Sequence, residues 1–211
     1  ALYGVIQAFS AFLGQDSEPL SEALRTRHLN EDQSLFKAQG AVWHQSDRLQ
    51  ARIPQKLRHL DQDATWKKSA YHGWVYGYGL HLTTTQAGFP VLMEVETARF
   101  SEKEALERKE KTLLKHLKPD TLCGDDAYTK ATRIRSWATQ GVILVTPALR
   151  WHCGKYARAY RHFIKTQTDI TQFLRKRRTA IEPIFDLVAQ LLGASAKQKQ
   201  LFRQGIENVR T

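Results

Sequence analysis

The stretch that decides the fold is "DTLCGDDAYTKATRIRSW", from Asp120 to Trp137. Its apolar start, Thr121 to Cys123, has the composition of a short strand, and a glycine and two adjacent carboxylates, Asp125 and Asp126, follow. Thr129 is a suitable N-cap for a helix that continues to the tryptophan. A strand that ends in acids and leads into a helix predicts a crossover connection, which adds a parallel strand to an α/β sheet.

Strand-like and helix-like segments alternate around this stretch. Residues 57–66 form a short apolar stretch that enters acids, residues 74–85 are rich in β-branched and aromatic residues, and residues 90–98 alternate after the turn signal at residues 87–90. These features predict three strands. A capping box, Ser101 followed by Glu104, then predicts a helix that ends before Pro119.

Beyond Gly141, "VILVTPA" predicts a buried strand, residues 150–168 read as a basic loop, and a last helix is predicted from Asp169. The resulting order is three strands, a helix, a strand, a helix, a strand and a helix. We therefore predict an α/β fold of ribonuclease H-like type, in which a mixed sheet is flanked by helices.

The first part of the chain has a different pattern. Residues 1–57 show apolar positions at helical spacing, with Gly14 as a stop signal, and Pro54 precedes the change to strand-like sequence. We predict a helical N-terminal segment, residues 1–57, that positions DNA or a partner, and a catalytic domain over residues 58–211.

Charge indicates the class of partner. Lysine and arginine total 32 against 21 acids, a net charge of +11. A surplus of this size favours nucleic acid, because phosphate contacts release counterions; a solvated basic surface is the alternative. The residues predicted to bind DNA are Arg150, Lys155, Arg158, Arg161, Arg175, Lys176, Arg177 and Arg178.

Other features bound the compartment and the remaining roles. No apolar run is long enough to span a bilayer, and two cysteines without a CxxC pair fit a reducing cytosol, so we expect a cytoplasmic protein without a membrane partner. Trp66, Trp74 and Trp151 are expected in the core, with stacking on bases as the alternative.

Three acids suit one metal centre. Asp63 lies at the first predicted strand, Asp125 at the end of the fourth and Glu182 on the last helix. A single strand-end aspartate is more often a turn or cap residue, but three converging carboxylates require a cation, and oxygen ligands select Mg²⁺ or Mn²⁺. Two such ions would activate water and stabilise a leaving oxygen. Asp126 is expected to face solvent or to support the loop.

Three segments resemble the catalytic segments of DDE transposases from bacterial insertion sequences: "DATWKKSAYHGWVYGYGLHL", "GDDAYTKATRI" and "RKRRTAIEPIFDLV". The Asp-x-(Gly/Ala)-(Phe/Tyr) motif of that family selects Asp125 over Asp126. A small residue and threonine after the first acid select Asp63 over Asp61. Arg178 and Glu182 match the middle of a Tyr-Arg-Glu-Lys pattern.

The resemblance implies a function. It implies a transposase that cuts DNA at the ends of an insertion sequence and joins the freed 3′ hydroxyl to target DNA, with Mg²⁺ or substituting Mn²⁺. It also implies double-stranded DNA as partner, a homodimer on DNA and a location at the bacterial nucleoid. Arg175 and Ala189 stand where the pattern has Tyr and Lys. The alternatives are a ribonuclease H-like nuclease that only hydrolyses and a degenerate relative that binds DNA without cutting it.

Overall fold

The computed structural model describes residues 28–57, 59–147, 155–194 and 199–210. Its elements follow in chain order: β1 His28–Lys37, α1 Gln45–Leu49, β2 Thr65–Ser69, β3 Gly73–Thr85, β4 Pro90–Thr97, α2 Glu102–Thr112 extended by a π-helical turn Leu113–Leu117, β5 Thr121–Cys123, a 3₁₀ turn Asp126–Tyr128, α3 Ala131–Ala138, β6 Ile143–Val145, α4 Lys155–Thr166, α5 Thr168–Leu191 and α6 Ile206–Arg210.

One mixed sheet holds all six strands. Antiparallel pairs join β4 to β3, β3 to β1 and β2 to the start of β3, whereas β5 is parallel to β1 and β6 is parallel to β5. The order β4-β3-β1-β5-β6, with helices in the crossovers, is the ribonuclease H-like topology. The predicted fold class is therefore confirmed.

Strand β1 corrects the predicted N-terminal segment. Residues 28–37 are not helical but form the central strand, between β3 and β5. Pro54 is therefore not a boundary between two structural units, because the sheet contains strands from before and after this residue. The rest of that prediction, residues 1–27, lies outside the described residues.

Three other boundaries differ from the sequence-based expectation. Of the first predicted strand, residues 57–66, residues 59–64 are irregular, and β2 begins only at Thr65. Helix α3 begins at Ala131, so Thr129 is not its cap. The segment read as a basic loop contains helix α4, whose Ala157 and Tyr160 are buried.

The predicted start of α2 is confirmed in atomic detail. The Ser101 hydroxyl accepts a hydrogen bond from the Glu104 amide at 3.3 Å, and the Glu104 carboxylate accepts one from the Ser101 amide at 2.9 Å. These two bonds satisfy amide groups that a helix start otherwise leaves without partners, so the capping box fixes where α2 begins.

Side chains alternate between two apolar layers along β1. Leu29 packs with Leu106, Leu122 and other residues of a core against α2, α3 and α4, whereas Phe36 packs with Ile181 and neighbours in a core against α5. Because strand side chains alternate between faces, even-numbered β1 residues face α5 and odd-numbered ones face α2. This alternation puts Asp32 on the α5 side.

Two glycines of "YGYG" allow β1 and β3 to pack closely. A Cβ at Gly77 would collide with the carbonyl oxygen of Phe36, and one at Gly79 would meet the side-chain amide of Gln33. The glycines are therefore packing positions within the strand.

A buried ion pair ties α2 to the sheet. Lys109 Nζ lies 2.7 Å from Glu31 Oε1 and 3.2 Å from the Thr83 hydroxyl oxygen, and the Thr83 hydroxyl donates to the second carboxylate oxygen of Glu31. Glu31 is fully buried, and burial raises the pKa of its carboxyl while Lys109 lowers it. Among the helices of the described residues, none has the length and apolar composition to cross a bilayer.

Candidate active site

Asp32 on strand β1 and Asp125 just after strand β5 lie close to each other. The parallel register pairs Asn30 of β1 with Cys123, the last residue of β5, and each acid follows this pair by two residues. Asp32 is on the α5 side of β1, and the negative charge of Asp125 acts on it. Both line one cavity of about 840 Å³.

Both carboxylates are held where ionisation is unfavourable. Burial is the main cause that raises the pKa of Asp32, and the negative charge of Asp125 raises it further. Burial likewise raises the pKa of Asp125, although the Ala127 amide donates a 2.8 Å hydrogen bond to its Oδ1 and lowers that pKa. Two neighbouring, partly buried acids of this kind favour a bound cation or a shared proton.

Arg177 supplies a positive charge from α5. Its guanidinium is 9% exposed and forms an ion pair with the Asp32 carboxylate. It lowers the pKa of both Asp32 and Asp125. Arg177 lies on the inner face of α5, one turn before Ile181, which is buried in the core. The helix therefore positions this charge at the cavity floor.

Glu182 lies at the rim of the same cavity. It follows Arg178 by one helical turn, and Arg178 Nε is 3.0 Å from its Oε1 in a pair of which more than half is exposed on each side. Arg178 also donates a 2.9 Å hydrogen bond to the Tyr71 hydroxyl from the β2–β3 turn. Helix α5 continues through Pro183, so the helix is not interrupted after Glu182.

The cavity balances acids against bases. Five carboxylates and five basic side chains line it. Four of those acids are paired with a base from the same lining: Asp32 with Arg177, Glu102 with Lys67, Glu182 with Arg178 and Asp186 with Lys199. Within the described part of the chain, no ion pair involves Asp125.

The donor set partly suits a divalent ion. Asp32 and Asp125 offer adjacent carboxylate oxygens, the ligand type that Mg²⁺ and Mn²⁺ select. In the described ranges, however, no three acidic, histidine or cysteine side chains are gathered closely enough to hold an ion. Asp32 and Asp125 are thus the two candidate ligands that lie close together. The third candidate, Glu182, is paired with Arg178.

This combination of topology and acids agrees with a family match. The family model described as "Transposase DDE domain" matches residues 32–203, which is most of the chain and begins at Asp32. The chain belongs to the DDE transposase domain family.

Solved structures and curated proteins add little to this assignment. A pre-cleavage Mos1 transpososome is 10% identical with a TM-score of 0.28, covering 88% of this chain and 61% of that chain. A Mos1 transposase paired-end complex with left transposon end is 10% identical with a TM-score of 0.32, covering 88% and 60%. This chain thus covers about 60% of the length of the two Mos1 chains. No curated protein matches the sequence.

Asp63 does not join the other predicted acids. It is exposed, is not among the cavity-lining residues, and its Oδ2 accepts a 3.0 Å hydrogen bond from the Ile206 amide at the start of α6. Its neighbour Asp61 is buried and accepts hydrogen bonds from the Tyr78 hydroxyl and the Gly205 amide. This segment of the DDE domain therefore anchors the C-terminal helix, a turn-and-cap role.

Asp32 is the acid that sequence reasoning missed. The available signal was its position between Leu29 and Phe36 in a segment short enough for a strand, upstream of the other strands. Asp126 is exposed and absent from the cavity lining, as the motif predicted.

The predicted DNA-binding residues differ in the solvent exposure of their side chains. Lys155, Arg158 and Lys176 are exposed, and Arg161 is partly buried. Arg177 is the exception to the prediction, because it is buried against Asp32 and is not available as a surface contact. Arg178 is exposed but paired. Arg150 and the side chain of Arg175 lie outside what the structure describes.

Position 189 has alanine where the Tyr-Arg-Glu-Lys pattern has lysine, and its surroundings account for the difference. Ala189 lies on the inner face of α5 and is fully buried in the core between this helix and the sheet. A lysine at this position would bury its charge in the core instead of presenting it to a ligand.

Proposed function

We propose that this DDE domain is the catalytic part of a transposase that cleaves DNA at insertion-sequence ends and joins the freed 3′ hydroxyl to target DNA. The observation that carries this proposal is the proximity of Asp32 on β1 and Asp125 just after the parallel strand β5, in a cavity bordered by Glu182. The family match and the net charge of +11 support it.

The proposed ligand set is Asp32, Asp125 and Glu182, with Asp32 in the role that the sequence motif assigned to Asp63. Mg²⁺ or Mn²⁺ bound there would activate the attacking hydroxyl and stabilise the leaving oxygen. For Glu182 to take part, its carboxylate must exchange Arg178 for a cation, a short-range change for two side chains that are more than half exposed.

The remaining cavity residues have positioning roles in this proposal. Arg177 favours the ionised form of Asp32, because it lowers the pKa that burial raises. Lys68 is exposed at the cavity lining, where it suits a DNA phosphate, whereas Lys67 is paired with Glu102. Positioning of the strand and charge stabilisation account for most of the acceleration in phosphoryl transfer.

The proposed partner is double-stranded DNA, bound by a homodimer so that two ends are brought together. Exposed Lys155, Arg158 and Lys176 are the proposed phosphate contacts on α4 and α5. Binding that rests on such contacts weakens steeply with salt.

The test is nicking of supercoiled plasmid in Mn²⁺ and Mg²⁺ by the full 211-residue chain. Asp32→Asn and Asp125→Asn are expected to lose more than about 100-fold in rate, because even outer-sphere residues of metal sites cost about 10–100-fold. Asp63→Asn is the matched control, since its amide oxygen still accepts from Ile206, and Asp126→Asn is a second. Loss in Asp63→Asn together with activity in Asp32→Asn would overturn the ligand set.

Two other functions are separated by the same assay. A nuclease that only hydrolyses nicks the plasmid but does not join a labelled oligonucleotide 3′ end to it. A DNA-binding relative without catalysis shows no metal-dependent nicking. The pairing of Glu182 with Arg178 favours the DNA-binding relative without catalysis, because it leaves only two of the three proposed acids available to a metal ion.

A further inference from the structure

A second cavity, of about 910 Å³, is lined by residues of the β2–β3 hairpin and of α1. Its volume is in the range of about 300–1,000 Å³ typical of ligand sites. Its walls include Arg48 of α1, Trp66 of β2, Trp74 of β3 and Arg99 after β4.

Two tryptophans form a fixed aromatic corner in this cavity. Trp66 and Trp74 are edge-to-face, with ring centroids 6.4 Å apart at 83°. The Trp66 indole donates a 2.7 Å hydrogen bond to the Trp43 carbonyl, which fixes its ring, whereas Trp74 is 65% exposed. The sequence-based expectation of core packing thus fails for Trp74, whose ring is available to a ligand.

The charge of the lining selects an anion. Arg48 and Arg99 are among its residues, and no carboxylate is. Asp47, which precedes Arg48 in the chain, is paired with Arg52 and is not part of the lining. Aromatic rings combined with guanidinium groups and no acids match a nucleotide, which offers an apolar base face and a phosphate.

The hairpin connects this cavity to the active site. Trp74 pairs directly with Lys68 across the hairpin, so the two side chains share a face of it. Lys68 and Tyr71 line the active-site cavity. A strand that passes over the hairpin therefore reaches both cavities.

We infer that the Trp66–Trp74 cavity binds unpaired nucleotides of a DNA strand that extends from the active site, with a base stacked on Trp74 and phosphates near Arg48 and Arg99. Unpaired DNA is the occupant because the faces of duplex bases are covered by their neighbours. The inference rests on the proposed function, since it takes the ligand to be the DNA handled at the carboxylates.

The test is fluorescence anisotropy with a labelled 12-nucleotide oligo(dT) and with a duplex of equal length. Trp74→Ala is expected to weaken oligo(dT) binding about 30-fold, the middle of the range for loss of one stacked base, with duplex affinity within about twofold of the parent. Trp74→Phe keeps a ring and should retain most of the affinity. Ile53→Ala, a loss of an exposed apolar side chain outside the lining of both cavities, is the control.

Equal loss on oligo(dT) and duplex, or no loss on either, would overturn the inference. A monomer–dimer shift in sedimentation with unchanged oligo(dT) binding would overturn it in favour of a second copy of the chain. Asp32→Asn separates this inference from the proposed function: it should abolish nicking and leave oligo(dT) affinity unchanged. If the parent chain binds oligo(dT) through Trp74 but never nicks, only the catalytic proposal fails.

Discussion

Arg177 and Asp32 form an ion pair at the floor of the candidate active site although 145 residues separate them in the chain. The pair joins helix α5 to the central strand of the sheet, and both groups are largely buried. Burial raises the pKa of the Asp32 carboxyl and Arg177 lowers it. The protonation of this acid therefore depends on a residue of the helix that packs against the sheet.

Replacing Arg177 by methionine is therefore expected to raise the pKa of Asp32 and to destabilise the fold. Breaking a buried pair costs about 3–5 kcal/mol when one charge is left behind, and the low end applies because Asp32 reaches water and can protonate. Urea unfolding measures the loss, and carboxyl carbon NMR follows the titration. Lys176→Met, an exposed neighbour, should change neither quantity; a similar loss there would show that the effect is not specific to the pair.

Asp125→Asn should stabilise the metal-free protein at neutral pH. The folded-state pKa of Asp125 is raised above its ordinary value of 3.8, so the unfolded chain releases the proton first as pH rises. The native state then binds more protons, and stability falls through that window and stays lower above it. We expect a melting temperature a few degrees above the parent at pH 7.5, with the difference shrinking towards pH 4. Mg²⁺ should raise the melting temperature of the parent more than that of the variant.

The sequence predicted those parts of the fold in which apolar residues set the pattern. The capping box at Ser101, the buried strands β5 and β6 and the crossover order all follow from local chemistry, and the structure has them. Helix α4 was also readable, because Ala157, Tyr160 and Ile164 recur at helical spacing, but its many basic residues obscured the pattern.

Strand β1 was missed because three of its five buried positions are polar. Asn30, Glu31 and Ser34 are buried in the sheet, where their partners come from distant segments such as Thr83 and Lys109. Hydrophobic periodicity detects apolar faces, so a strand whose inward residues are paired polar groups gives no such signal. The same strand carries Asp32, and the error in the fold therefore became the error in the site.

The buried pair of Lys109 and Glu31 provides a test of that explanation. Lys109→Met should destabilise the domain by about 3–5 kcal/mol, because it leaves a carboxylate fully buried beside the core. Adding Glu31→Gln removes that charge and should recover a large part of the loss, which urea unfolding of the single and double variants measures. Lys111→Met, on the exposed face of the same helix, is the control; additive losses in the double variant would contradict the pairing.

DNA binding should depend on the exposed basic residues of α4 and α5. Neutralising Lys155, Arg158 and Lys176 one at a time to glutamine is expected to reduce the slope of log affinity against log salt by about 0.9 for each phosphate that the side chain no longer neutralises. Titrations of a labelled duplex at several salt concentrations give that slope. Lys115→Gln removes an exposed charge from the end of α2, outside the cavity lining, and should leave the slope unchanged. A uniform decrease in all four variants would indicate net charge alone.

The pair of Arg178 and Glu182 should limit metal binding, because the glutamate cannot hold its partner and a divalent ion with the same oxygen. The two residues are one turn apart, 3.0 Å between Nε and Oε1, and both are more than half exposed. Such a pair contributes about 0.2–0.5 kcal/mol, so Arg178→Gln should leave unfolding nearly unchanged and tighten Mn²⁺ binding about twofold. Calorimetric titration of Mn²⁺ into the full chain measures this. Lys176→Gln removes the same charge from the same helix without freeing Glu182, and should have a smaller effect. Weaker Mn²⁺ binding in Arg178→Gln, or an equal change in both variants, would contradict competition for Glu182, and Glu182→Gln should abolish the difference between them.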